Sequence, residues 1–286
     1  MNAFPEMRRK FGFGCMRLPM QGEKVDGQAM CAMVDAFLAA GFNYFDTAHG
    51  YLSGKSETAL RECLTKRYPR SAYLLTDKLT GNFFEKEEDI RPFFESQLAA
   101  CGVDYFDFYL MHAQNKDIYA KFKRCHAYEQ GLQLKAEGKI RHFGISFHDT
   151  AEVLEQILTE YPQIEVVQIQ LNYLDFEDPA VQSRRCYEVC CKHGKPVIVM
   201  EPVKGGSLVN LPVLHRRLPP AYFHPRSVLL PERQAAAPRL ECRLLLRHLH
   251  RQPRQGVRLH RLRQVRKCLP PASAHPGAAE GCGKGV

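Results

Sequence analysis

From residue 11 to residue 200 the chain repeats one pattern, and that pattern constrains the fold more than any other feature. Short, continuous apolar runs rich in β-formers lie at 11–15, 43–45, 72–76, 106–111, 141–145, 166–171 and 196–200. Between them lie longer stretches with helical apolar spacing, near 27–40, 56–67, 86–101, 116–137, 149–160 and 179–193. Strands that are apolar throughout, rather than on alternate positions, belong to a parallel sheet covered on both faces. Seven strand–helix units in about 200 residues predict an α/β fold, a (β/α)₈ TIM barrel. The rival is an open doubly wound sheet. It expects a Gly-rich GxGxxG turn after the first strand. Here the glycines of Phe11-Gly-Phe-Gly-Cys15 lie inside the strand instead.

Length and composition agree. With 286 residues, 45% of them hydrophobic, the chain can bury one large core. No run of 18 apolar residues occurs, so no membrane partner is expected, and no apolar h-region follows the charged first ten residues. The 11 cysteines form no C-x₂-C pair, so the spacing suggests neither a metal site nor a redox dithiol. Reduced thiols in a cytoplasmic protein are the expectation.

Three successive strands end in polar residues that the apolar pattern does not require. The second ends in Phe45-Asp46-Thr47-Ala48, with Tyr51 in the loop beyond; the third in Thr76-Asp77-Lys78; the fourth in Leu110-Met111-His112. In a barrel the C-terminal strand ends share one rim, where active sites sit. Asp46, Tyr51, Lys78 and His112 are therefore predicted to converge. Taken singly, each has an ordinary reading, as a turn cap, a loop aromatic, a solvated lysine or a core-edge histidine. Together they suit carbonyl reduction. A carbonyl that receives hydride becomes an alkoxide and needs a proton. A phenol can deliver it, and a neighbouring ammonium stabilises the phenolate. Lys78 fits that role, Asp46 would hold Lys78 charged, and His112 would orient the carbonyl oxygen.

The segment from Phe45 to Tyr51, then Lys78, then His112, resembles the catalytic tetrad of the aldo/keto reductase family. The opening Gly12-Phe-Gly-Cys-Met-Arg-Leu-Pro19 resembles that family's first strand, and Gly138-Lys-Ile-Arg-His-Phe-Gly-Ile-Ser146, followed by His148, its fifth. Gln168-Ile-Gln-Leu-Asn172 and Glu201-Pro-Val-Lys204-Gly205-Gly206 are similar to the sixth and seventh. The resemblance implies an NAD(P)H-dependent oxidoreductase, with NADP(H) favoured by family habit and NAD(H) the alternative. It also implies that Ser146 and Gln168 contact the nicotinamide carboxamide. The loop from Glu201 through Lys204 would approach the pyrophosphate, with backbone amides near Gly205 and Gly206 suited to phosphate.

The resemblance covers residues 11–212 and then stops, which divides the chain into a barrel at 1–212 and an aberrant tail at 213–286. The tail holds 15 of the 40 Lys and Arg but 3 of the 31 Asp and Glu, so the net charge of +9 belongs to it and the first 212 residues are mildly acidic. It contains 13 Arg and 9 of the 18 Pro, and no Asp, Asn, Ile, Thr or Met. Only 244–250 reads as a short helix. An eighth strand and the segment that grips the adenosine 2′-phosphate are not recognisable, so the barrel is expected to be incomplete. A GC-rich gene read out of frame yields such a composition. With assumed codons, residues 258–268 and the codons that follow, read one nucleotide along, encode Asp-Cys-Thr-Gly-Cys-Gly-Lys-Cys-Glu-Asn-Ala-Cys. That is the ferredoxin-type C-x₂-C-x₂-C-x₃-C-P run, completed by the next codons. One branch of the family carries such a 4Fe-4S segment near its C-terminus. The chain as written does not support the cluster, because Cys242, Cys268 and Cys282 stand far apart.

The expected function is reduction of an aldehyde or ketone to an alcohol, with a small carbonyl compound as partner and no nucleic acid. A nucleotide-sensing regulatory subunit with a reductase fold and an inactive gene fragment are the alternatives. Binding without turnover would mark the first of these, and insoluble product the second.

Overall fold

In the computed structural model of the chain, residues 3–208 are described. Seven strands, β1 (Gly12–Gly14), β2 (Tyr44–Asp46), β3 (Leu74–Leu79), β4 (Phe106–Gln114), β5 (Ile140–Phe147), β6 (Val166–Gln170) and β7 (Val197–Met200), form one sheet. Every pairing is parallel and the strands stand in sequence order. Each of the seven predicted strands is present. This is the (β/α)₈-barrel plan, in which right-handed crossovers return each strand beside the last. The predicted 244–250 helix, the eighth strand position and the whole 213–286 tail lie outside the described residues.

The helices between strands are α1 (Gly27–Ala39), α2 (Lys55–Leu60), α3 (Glu87–Cys101), α4 (Lys116–Arg124), α5 (Ala127–Ala136), α6 (Ala151–Glu160) and α7 (Ser183–Lys192). Local chemistry sets their ends. The Asp26 side chain caps α1 by accepting from the Ala29 amide at 2.9 Å. Its buried face, Met30, Val34 and Phe37, recurs at helical spacing. At the end of α3, Gly102 adopts φ 68°, the left-handed turn that closes many helices. The single helix predicted over 116–137 is two helices, because His126 turns left-handed at φ 48° and breaks the run between α4 and α5. The stretch predicted at 179–193 becomes helical only at Ser183, since Gln182 stands at φ 51°. Beyond α2 the chain continues as a π-helical turn, Arg61–Thr65.

Alternation along the strands separates two cores. Tyr44, Leu74, Phe108, Leu110 and Val166 face inward, with Phe4 packed against Phe108 and His142 at ring separations of 5.0 and 4.9 Å. Phe45, Leu75, Tyr109, Met111, Phe143 and Ile145 face outward and join the helices in the larger core. Gly144 has no room for more than hydrogen. A Cβ there would lie 2.5 Å from the Val166 carbonyl oxygen and 2.8 Å from Leu110. The same period of two places Thr76 and Lys78 on the inner face of β3 and Asp77 on the outer one.

Candidate active site

Four polar side chains meet where β2, β3 and β4 end. Lys78 is fully buried, and its ammonium donates to Asp46 Oδ1 at 2.6 Å, to the Thr47 carbonyl at 2.7 Å and to the Tyr51 hydroxyl at 3.1 Å. Three acceptors satisfy its three protons. His112 lies against Tyr51, ring centroids 5.9 Å apart and nearly perpendicular. Its Nδ1 is 2.7 Å from the Thr80 hydroxyl. The four predicted residues therefore form one connected chain, Asp46 to Lys78 to Tyr51 to His112. Thr80, two positions beyond Lys78 and just past the end of β3, was not singled out from the sequence. The periodicity of β3 was the signal that could have found it.

The loop that presents Tyr51 is strained. Leu52 and Ser53 follow it at φ 51° and 56°, left-handed conformations that residues with a Cβ adopt at a cost of about 1–3 kcal/mol each. Gly54 continues the turn at φ 81°. The segment is tied down beyond it, where Ser56 donates to the Cys15 carbonyl at 2.9 Å and pairs with Thr47 at 2.7 Å.

Burial and charge compete at these groups. Burial pushes the Tyr51 phenol above its usual range, and Lys78 pulls the other way without prevailing. The sequence expectation of a stabilised phenolate is thus met by an opposing force: in the resting site the phenol keeps its proton. Burial also disfavours the Lys78 charge, but Asp46 and Tyr51 outweigh it and raise its affinity for the proton. His112 is pushed down to about 3, first by burial and then by Lys78 and His148, so its ring is neutral.

The residues expected to hold a dinucleotide occupy neighbouring strand ends. Ser146 closes β5 and Gln168 lies beside it on β6, in register and both buried. The Ser146 hydroxyl accepts from the Ala113 amide at 3.4 Å, where β4 bulges. Gln168 donates through Nε2 to Asp46 Oδ2 at 2.9 Å, joining the tetrad. Past β7, Glu201, Lys204, Gly205 and Gly206 all have positive φ. Lys204 forms an ion pair with buried Asp175, which also accepts from Gln170 and Asn172 at 2.6 Å each. The Gly206 amide donates to Val203 at 2.9 Å within the turn. The polar strand ends of β5 and β6 fit a carboxamide, with one buried hydroxyl and one buried amide side by side.

The aldo/keto reductase family model matches residues 10–244. A NADH-specific methylglyoxal reductase of Escherichia coli is 28% identical over 198 residues, covering 62% of this chain and 58% of that protein. The chain therefore spans about three fifths of the length of that curated relative. Among solved structures, the holo form of an aldo-keto reductase from Bacillus halodurans superposes with a TM-score of 0.56 at 27% identity, covering 74% of this chain and 66% of that one. An aldo-keto reductase from Klebsiella pneumoniae in complex with NADPH superposes at a TM-score of 0.55 and 21% identity, covering 70% of this chain and 66% of that one, which shows the shared fold.

Proposed function

Because the chain belongs to the aldo/keto reductase family, we propose that it reduces an aldehyde or ketone to an alcohol with NAD(P)H, with Tyr51 as the general acid. The observation that carries this reading is the Lys78 ammonium, held at once by Asp46, Thr47 and Tyr51. When bound, the nicotinamide supplies the hydride. The residues of this chain do the rest. Tyr51 gives its proton to the substrate oxygen as charge develops there, and the Lys78 ammonium stabilises the phenolate left behind. Asp46 keeps Lys78 charged. His112 is neutral, and its role requires Thr80 to be the donor to Nδ1, so that Nε2 carries the hydrogen directed at the carbonyl oxygen. Ser146 and Gln168 would hold the carboxamide, and the Glu201–Lys204–Gly205–Gly206 turn would lie toward the pyrophosphate. Among the described residues no helix is long and apolar enough to cross a membrane.

The test is oxidation of NADPH and of NADH with a panel of carbonyls that includes methylglyoxal and a uronic acid, with cofactor binding followed separately by fluorescence. Turnover that falls by about 10²–10⁴-fold in Tyr51→Phe, with binding retained, supports the reading. Binding without turnover in the unaltered protein favours the sensor. The frame-shift account of 213–286 stands as a separate proposal. A nucleotide read from codon 205 onward checks it, and an uninterrupted frame overturns it.

A further inference from the structure

The outer face of β3 should be apolar, since it packs against helices, yet at Asp77 it carries a fully buried carboxyl. A second carboxyl, Glu57 of α2, is equally buried, with a carboxyl oxygen within 4.8 Å of one of Asp77's. Two carboxylates buried this close would repel strongly if both were ionised, so one of them keeps its proton. The surroundings distinguish the two groups. Asp77 Oδ1 accepts from the Lys78 amide at 2.8 Å and from Gln97 Nε2 at 3.0 Å, and Cys101 Sγ lies 3.7 Å from Oδ2. Glu57 Oε2 pairs with His49 Nδ1 at 2.8 Å, and His49 reaches the surface between Phe83 and Phe93. Gln97 also donates to the Lys78 carbonyl at 3.0 Å and accepts from Tyr109 at 2.5 Å. The Lys78 peptide is thus held from both its amide and its carbonyl by this one cluster.

We propose that Asp77 and Glu57 are positioning residues for the proposed reductase chemistry: Asp77 keeps a proton that it donates to Glu57, His49 pairs with Glu57, and the cluster fixes the peptide that aims the Lys78 ammonium into the barrel. This inference rests on the reductase reading for its consequence but not for its protonation state. The titratable groups facing the pair are His49, Cys101, Tyr109 and Lys78, with Cys15 and Tyr51 farther off. Burial, and then Glu57, pushes Asp77 well above the usual carboxylate range, while Glu57 is pushed up to about 7 by burial. An ionised Asp77 would have no proton to donate to Glu57 and would place two like charges side by side in the core behind Lys78. Glu57, Asp77 and Cys101 also bring three ligand-type atoms within 4.8 Å of one another, but Cys101 donates to Asp77, and Gln97 and His49 engage the two carboxyls.

The experiment has two readouts on the full chain. Infrared spectroscopy of the unaltered protein at neutral pH should show the C=O stretch of a buried, protonated carboxylic acid. That band should move with ¹³C-labelled aspartate and vanish in Asp77→Asn. Its absence overturns the proposal whether or not the protein reduces anything. Kinetically, Asp77→Ala should lower kcat by about tenfold or more, as misplacement of a catalytic group does, with a smaller change in the cofactor KM. Asp77→Asn, an isostere of the protonated acid, should restore most of it. An Asn variant as impaired as the Ala variant overturns the positioning role. If Asp77→Ala fails to fold, the infrared band and the kcat of Asp77→Asn decide.

Discussion

Gln168 reaches from β6 to Asp46 on β2, with Nε2 2.9 Å from Oδ2, across 122 positions of sequence. Asp46 therefore has one oxygen on the Lys78 ammonium and the other on a carboxamide. The family resemblance assigns Gln168 to the nicotinamide. This contact gives it a second task, to hold Asp46 so that the carboxylate meets Lys78 in one geometry.

Gln168→Ala separates the two tasks. If Gln168 orients Asp46, kcat at saturating cofactor falls by about tenfold or more, the scale expected when a catalytic group is slightly misplaced. Steady-state kinetics over a range of cofactor concentration reads this directly. A defect confined to the cofactor KM would mean that Gln168 serves the dinucleotide alone.

The Lys78–Asp46 pair should also be a stability element of an asymmetric kind. Lys78 is fully buried and Asp46 nearly so. Removing one member of such a pair leaves the other charge uncompensated, at a cost of about 3–5 kcal/mol. Lys78→Met should therefore lower the urea midpoint strongly. Adding Asp46→Asn to it should recover part of the loss, a coupling that a double-mutant cycle measures. Additive losses would show that the pair contributes nothing beyond its separate side chains.

Activity should depend on pH in one direction. Tyr51 must carry its proton to act as an acid, and burial keeps its affinity for the proton above that of free tyrosine. His112, pushed down to about 3, stays neutral throughout the working range. Carbonyl reduction at saturating substrate should thus be flat from about pH 6 to about pH 9 and fall only above the ordinary tyrosine range near 10. A rate that falls between about pH 6 and pH 8 would contradict the assignment of Tyr51 as the acid.

What the sequence revealed and what it hid follow from the range of the interactions. The strands were legible because each is a local apolar run, and Asp46, Lys78 and His112 were legible because polar residues ended three such runs. Tyr51 was legible as the phenol in the loop that follows the second of those strand ends. Contacts that depend on the third dimension were not legible. Nothing local ties Gln168 to Asp46, or Thr80 to His112. Asp77 was visible as a polar residue at a strand end, but its partner Glu57 lies on a helix 20 positions earlier, and only the alternation of β3 turns the two toward each other. The break at His126 was hidden for another reason: the apolar spacing continues across it, while the backbone does not.

Stability should carry the mark of buried groups that titrate oppositely. His112 binds a proton near pH 6.5 in the unfolded chain but only at about 3 in the fold, so between these values acidification favours unfolding. Glu57 is the reverse. Its carboxyl takes up a proton at about 7 in the fold and near 4.5 when unfolded, so across that window acidification favours folding. The two slopes oppose each other between about pH 6.5 and pH 4.5, each bounded by about 1.4 kcal/mol per pH unit. The surface carboxylates that ion pairs depress, such as Glu160, lose their contribution only below that window. His148, held below its usual range by burial, adds to the slope of His112, and Asp77, held well above its own, adds to that of Glu57, so the unaltered protein should show a nearly level Tm from about pH 7 to about pH 5. Glu57→Gln removes one of the two compensating groups, and its Tm should fall as the pH is lowered over the same interval. Thermal unfolding at the two pH values measures the difference, and a variant whose Tm tracks the unaltered protein at both would show that Glu57 does not change its protonation on folding.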